Sequence, residues 1–262
     1  LLIHDDFEDD SKFRRGKPAL HEIFGEKLAI NAGDALHAVM WKTLLDNEEI
    51  LGWKKTKEIM EEFYKILTRT VLGQGVELIW AKEGKESLSD EDWFFLADGK
   101  TSYYTIAGPM RLGAIIAGAT SSQLILIAQF GKILGRCYQL VDDILDVTSD
   151  YRGLKGKITY NDIYESKRTL LLGHLLQKLK TKDRNKVLMI LSKSRNEKSE
   201  KDVLWIIEKM TKVGSIDYAK KVAANLAKQA FEMFNESLTF LQDNKARKEL
   251  KMGISFILNR DY

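Results

Sequence analysis

Six aspartates are the residues of this sequence best placed to do chemistry. Asp5, Asp6 and Asp9 follow the pattern D-D-x-x-D near the start of the chain, and Asp142, Asp143 and Asp146 repeat it. Each block runs into a basic, glycine-containing stretch, "SKFRRGKPAL" after the first and "YRGLKGKITYND" after the second. Residues four apart on an α-helix stack one turn above the other, so Asp5 projects with Asp9 and Asp142 with Asp146. Asp6 and Asp143 are turned about 100° to the side. In the second block the polar line reaches back one turn to Gln139. Carboxylates this close repel one another, and partial shielding from water raises their pKa values, so something positive must offset them. A surface ion pair contributes too little to explain two matched copies.

One D-D-x-x-D alone reads as a solvated acidic helix end. Two copies, each leaving an apolar helix and entering a basic loop, read as a clamp. Hard oxygen donors without nearby histidine or cysteine suit Mg²⁺, which takes carboxylates, water and substrate phosphates as ligands. Arg14, Arg15 and Lys17 on one side, with Lys157 and Lys167 on the other, are the cations that a metal-bound diphosphate would attract. A di-iron bundle needs glutamates and Glu-x-x-His pairs. None of His4, His21, His37 and His174 has a glutamate three residues earlier, and Asp34 before His37 stands alone. His4 and His37 read as structural.

The elements that must hold these residues are helical. From Leu124 to Val147 the large apolar residues recur mostly three and four apart, which predicts a long central helix buried on most sides. The same spacing runs through Ile59, Phe63, Leu67, Val71 and Leu78, and again from Ile206 to Leu241. Only Pro18 and Pro109 interrupt the chain, leaving room for long helices. No stretch alternates with period two for long enough to argue for a sheet, so the fold class is all-α.

Composition narrows the function. A length of 262 residues suffices for one large core, and a net charge of +3 lacks the concentrated basic surface of a nucleic-acid binder. The single cysteine, Cys137, excludes an internal disulfide and points to a reducing, cytoplasmic setting. The longest apolar runs, "LGAIIAGA" and "LILIAQF", are shorter than the roughly 20 residues of a membrane span. The first block lies inside an apolar helix, "LLIHDD", with no starting cap before it, which suggests upstream helices that this chain lacks.

At these residues the chain resembles the trans-isoprenyl diphosphate synthases, the farnesyl and geranylgeranyl diphosphate synthases. The resemblance runs along nearly the whole chain, through "HDDFEDDSKFRRGKP", "NAGDAL", "GQGVEL", "GKTS", "YQLVDDILDVTSD" and "GKITYNDIYESKRT". It implies a single domain over residues 1–262 lacking its N-terminal helices. The fold it implies is an all-α bundle of about ten helices around a deep central cavity, usually a homodimer. It implies further that Asp5, Asp6, Asp9, Asp142, Asp143 and Asp146 bind Mg²⁺ and the allylic diphosphate. Arg14 would contact that diphosphate and Arg15 the isopentenyl diphosphate. Lys100 and Lys157 would flank the allylic diphosphate, with Lys155 competing for the role of Lys157. Thr101 and Gln139 would line the place where the allylic cation forms, Gln74 and Glu77 the same cavity, and Lys167 the second metal cluster. The family's upstream Gly-Lys-x-x-Arg segment for isopentenyl diphosphate has no counterpart here. The short first motif favours geranylgeranyl diphosphate as product, ahead of farnesyl diphosphate. A terpene cyclase would replace "DDILD", and a non-catalytic partner subunit would have lost one block or both.

Overall fold

The computed structural model describes residues 1–148 and 160–260. Thirteen α-helices occur among them: α1 (Leu2–Glu8), α2 (Leu20–Phe24), α3 (Glu26–Asp46), α4 (Glu48–Lys82), α5 (Asp90–Ala97), α6 (Gly108–Ile116), α7 (Ser121–Thr148), α8 (Asn161–Tyr164), α9 (Leu170–Lys178), α10 (Thr181–Leu191), α11 (Glu200–Lys212), α12 (Ser215–Glu236) and α13 (Lys245–Asn259). The all-α class is as expected, and the excess over ten comes from short pieces such as α2 and α8. A two-residue hairpin, β1 (Phe13–Arg14) with β2 (Lys17–Pro18), turns through Arg15 and Gly16, both at positive φ. Glycine adopts that conformation freely, and Arg15 at φ 54° is held there by the turn.

Helix α7 is the predicted central helix. Phe130, Leu134, Cys137, Leu140 and Val141 are all buried along it, and it packs on α6, α12 and α13. It is also the one described helix long and apolar enough to cross a membrane by length and composition, which the separate apolar runs did not suggest. Those runs join into one helix of 28 residues, and its apolar face is core. Well-formed caps start the helices around it: Ser89 and Asp92 form a reciprocal capping box on α5, as do Ser199 and Asp202 on α11, and Thr169 caps α9.

Between α5 and α6 the chain runs as a π-helical segment, Asp98–Ala107, pressed between α4 and α7. Three glycines make room for it. A Cβ on Gly73 of α4 would lie 2.4 Å from the Lys100 nitrogen. On α7, a Cβ at Gly131 would lie 2.5 Å from the Ala107 Cα, and one at Gly135 the same distance from the Ser102 Cα. Lys100, expected from the resemblance to flank the allylic diphosphate, belongs to this segment. It lies inside this wider turn, the kind of helical irregularity that recurs at functional sites.

Candidate active site

Helix α1 carries one acidic wall and α7 the other, and the two face each other across a cavity of about 310 Å³. Asp5, Asp6 and Asp9 line one side, and Asp142, Asp143 and Asp146 line the other. On the first wall the positive offset comes from side chains. Arg14 donates through Nε to both Asp6 oxygens at 2.8 and 3.1 Å, and through Nη2 to Asp6 and, at 3.4 Å, to Asp5. Asp6 is buried and turned toward Arg14. The hairpin thus delivers the guanidinium to α1. Lys100 pairs with Glu77 and stands 3.8 Å from Asp5. Lys167 donates to Asp9 at 2.9 Å, and its ammonium also lies 2.6 Å from Glu165.

These charges set the titration of the first wall. Burial alone would raise the Asp9 carboxyl, but Lys167, Lys100 and Arg14 outweigh it and leave it below the ordinary aspartate value. Asp5 is raised by burial, which Lys100 opposes without overcoming it. Burial would strip Lys167 of its proton, yet Glu165, Asp9 and Asp162 hold it well above the usual lysine value. It is a fixed cation.

The second wall is held differently. Asp143 is buried and accepts from Gln139 Nε2 at 2.7 Å and from the Trp93 indole at 3.1 Å. Thr101 in turn donates its hydroxyl to Gln139 at 2.6 Å, so the π-helical segment, Gln139 and Asp143 form one chain of hydrogen bonds. Asp146 accepts the backbone N–H groups of Asn161 and Asp162 at 3.0 and 3.1 Å. Burial pushes Asp146 up to about 6, and pushes Asp143 and Asp162 well above the aspartate value, with neighbouring carboxylates adding to each rise. At Asp143 and Asp146 burial therefore disfavours the ionised form, and the hydrogen bonds their oxygens accept from the described residues come from neutral groups.

A second cavity, about 660 Å³, continues from the first, and Asp5, Asp9, Gln139, Asp143 and Lys167 line both. Beyond Lys100 and Thr101 its lining turns apolar, with Leu1, Leu2, Val71, Trp93, Leu96 and Tyr104. Its volume lies within the range of about 300–1,000 Å³ of small-molecule sites. Gln74 reaches it and donates to Glu8 at 3.0 Å, and Glu77 lines it as well. His4 rests over Gly33, bonded to the Ile30 carbonyl at 3.2 Å, and His37 accepts from Trp41, so both are partnered as structural residues. Lys157 and its competitor Lys155 lie outside the described residues.

The donor set fits a divalent cation: all oxygen, drawn from two walls, with carboxyl groups on one wall whose burial leaves them short of positive charge. Another cluster, Asp10, His21 and Glu22, brings its ligand atoms within 4.8 Å of one another. There Lys12 already bridges Asp10 at 2.7 Å and Glu22 at 3.0 Å, so its charge is met from within.

The residues 1–210 match the family model described as polyprenyl synthetase. The chain belongs to the polyprenyl synthetase family. A short chain isoprenyl diphosphate synthase of Methanothermobacter thermautotrophicus is 31% identical over all of this chain and 76% of its own length. A geranylgeranyl diphosphate synthase of Sulfolobus acidocaldarius is 33% identical over 90% of this chain and 69% of its own. Among solved structures, the geranylgeranyl pyrophosphate synthetase from Pyrococcus horikoshii superposes with a TM-score of 0.83 at 31% identity, covering 99% of this chain and 75% of that one. The geranylgeranyl pyrophosphate synthase from Corynebacterium glutamicum, complexed with isoprenyl diphosphate and magnesium, has a TM-score of 0.84 at 25% identity, covering 100% and 75%. This polyprenyl synthetase is a prenyltransferase, and a divalent metal requirement comes with its family.

Several residues of the site escaped the sequence reading. Asp162 and Glu165 sit within the quoted motif "GKITYNDIYESKRT" but were not singled out, although their acidic type was a usable signal. Trp93 gave none, being one aromatic in an apolar run, and neither did Arg195, which pairs with Glu165 at 3.0 Å and with Asn161 at 2.6 Å.

Proposed function

We propose that this polyprenyl synthetase is a geranylgeranyl diphosphate synthase, joining isopentenyl diphosphate to an allylic diphosphate with Mg²⁺. The observation that carries the reading is the continuity of the two cavities. Six charged or polar side chains, Asp162 among them, belong to both, so a diphosphate in the acidic cavity places its carbon chain directly in the second one. Mg²⁺ supplies positive charge to the departing diphosphate. Asp5, Asp9, Asp142 and Asp146 would hold it, with Asp162 beside them. Arg14, Lys100 and Lys167 surround the same space and stabilise the charge that grows on the leaving oxygen as the allylic C–O bond breaks and its electron pair goes to diphosphate. Thr101 and Gln139, joined by their own hydrogen bond, line the cavity that would receive the carbon left behind. The double bond of isopentenyl diphosphate, held near Arg15, supplies the electrons of the new C–C bond, and a proton passes to a diphosphate oxygen. Holding both partners together replaces a bimolecular encounter. The apolar walls keep water from capturing the cation.

A C20 product agrees with the relatives named above and leaves farnesyl diphosphate as the competing outcome. A homodimer is part of the proposal: α3 and α4 leave the large apolar or aromatic side chains of Leu28, Leu36, Val39, Trp53, Tyr64 and Leu72 exposed, and a second copy of the chain would cover them. Incubation with Mg²⁺, labelled isopentenyl diphosphate and each allylic primer, followed by sizing of the lipid, tests the reading. A C20 chain supports it, a C15 chain replaces the product, and a cyclic hydrocarbon or no labelled lipid overturns it. Light scattering on the eluting protein tests the dimer.

A further inference from the structure

Arg260, which follows α13, reaches back to α7 and meets the first aspartate of the second wall. Its Nη2 donates to the Asp142 carboxylate at 2.7 Å and to the Tyr138 carbonyl at 2.8 Å. Its guanidinium lies over the Tyr138 ring, 3.9 Å from the centroid. The side chain is only 7% exposed, and its buried Nε has no hydrogen-bond partner among the described residues. An arginine serving only to fasten α13 would be satisfied by carbonyls. This one spends its best-directed nitrogen on a carboxylate that the metal reading requires.

We propose that Arg260 is a positioning residue for the second wall: it fixes the Asp142 carboxylate and, as a resident counter-charge, weakens metal binding there until a diphosphate arrives. The inference rests on the assignment of Asp142 as a metal ligand. The aromatic ring and the low exposure shield the guanidinium from solvent, while Asp142, its side chain 36% exposed, keeps an open side toward the cavity. A divalent cation takes carboxylate oxygens at about 2.0–2.1 Å if it is Mg²⁺. One bound to Asp142 would therefore sit close to a guanidinium of like sign, and the two compete for the same lone pairs. A diphosphate brings negative charge to the metal's other side and tips that competition. By linkage, the metal loosens Arg260 as much as Arg260 disfavours the metal.

Calorimetric titration of the full chain with Mn²⁺ tests this, comparing wild type, Arg260→Gln and Arg260→Lys, with Asp142→Asn marking which binding belongs to the second wall. Without diphosphate, Arg260→Gln should bind Mn²⁺ at the Asp142-dependent site at least threefold more tightly than wild type, while Arg260→Lys stays within twofold. With inorganic diphosphate present, the difference should shrink below twofold. Equal affinities of wild type and Arg260→Gln without diphosphate overturn the inference alone. Absence of any Asp142-dependent Mn²⁺ site, even with diphosphate, overturns the metal assignment and the inference with it. A measurement on wild type stands independently of how the variants fold: Mn²⁺ should speed amide exchange at the end of α13 at least twofold, and an unchanged rate counts against the proposal.

Discussion

The two acidic walls share one spacing and differ in almost everything else. Helix α1 is seven residues long, and its carboxylates meet Arg14, Lys100 and Lys167, cations brought from a hairpin, a π-helical segment and the stretch between α8 and α9. Helix α7 is 28 residues long and buried. Of its aspartates, Asp143 is met by neutral donors, Gln139 and an indole, and Asp146 by backbone N–H groups. On the first wall the protein's own cations meet the carboxylates and hold Asp9 below the ordinary aspartate value, although burial still raises Asp5. On the second wall Arg260 meets Asp142, while Asp143 and Asp146 are held by neutral donors and sit raised by burial, the condition a divalent cation would relieve. One motif therefore serves two electrostatic roles, and the surroundings assign them.

The largest expected effects come from removing either wall. Asp5→Ala and Asp142→Ala should each lower turnover about 10²-fold or more, with the helical circular dichroism intact; near-normal turnover in either would dissolve the clamp.

A finer test uses pH on metal-free protein. Asp146 lies near 3.8 when unfolded and about 6 when folded, so it stays protonated longer in the fold. Between those values the folded state binds more protons, and its stability falls as pH rises. Asp146 alone should thus cost on the order of 1–3 kcal/mol between pH 4 and pH 7, seen by urea unfolding in EDTA as the part of the pH dependence that Asp146→Asn removes. Asp9 carries the opposite sign: its lowered pKa contributes stability that is lost as pH falls. Identical slopes for Asp146→Asn and wild type would erase the contrast between the walls.

The middle aspartates should diverge as well. Asp6→Asn strips a buried, bidentate partner from Arg14 and should cost about 2 kcal/mol in chemical denaturation. Asp143→Asn replaces a buried carboxyl, raised well above the aspartate value and held by the neutral donors Gln139 and Trp93, and should change stability by less than about 1 kcal/mol near neutral pH. Equal losses would mean that the walls are held alike. The smallest effect belongs to Trp93→Phe, which leaves Asp143 one donor short and should cost about 0.5 kcal/mol, with a modest fall in turnover. A fully neutral substitution would remove the indole from the site.

Much of this was legible in the chain. Both aspartate blocks, Arg14, Lys167, the central helix and the Thr101–Gln139 pair were located from residue type, spacing and family resemblance, because helical periodicity is a local property. The π-helical turn was not, although Gly73, Gly131 and Gly135 are visible as letters. A glycine does not say which backbone will approach it. Nor did spacing reveal that Asp6 turns to Arg14, or that Trp93 and Arg260 reach aspartates 50 and 118 residues away.

The sequence by itself determined which groups face one side of a helix, which chemistry they suit, and that long apolar helices would carry them, since each follows from neighbours within a few turns. Only the tertiary structure decided which cation met which carboxylate, and which carboxyl groups were buried against neutral donors. Those depend on burial and on contacts between segments distant along the chain, where the local dielectric and the exact partner, rather than residue type, set the charge.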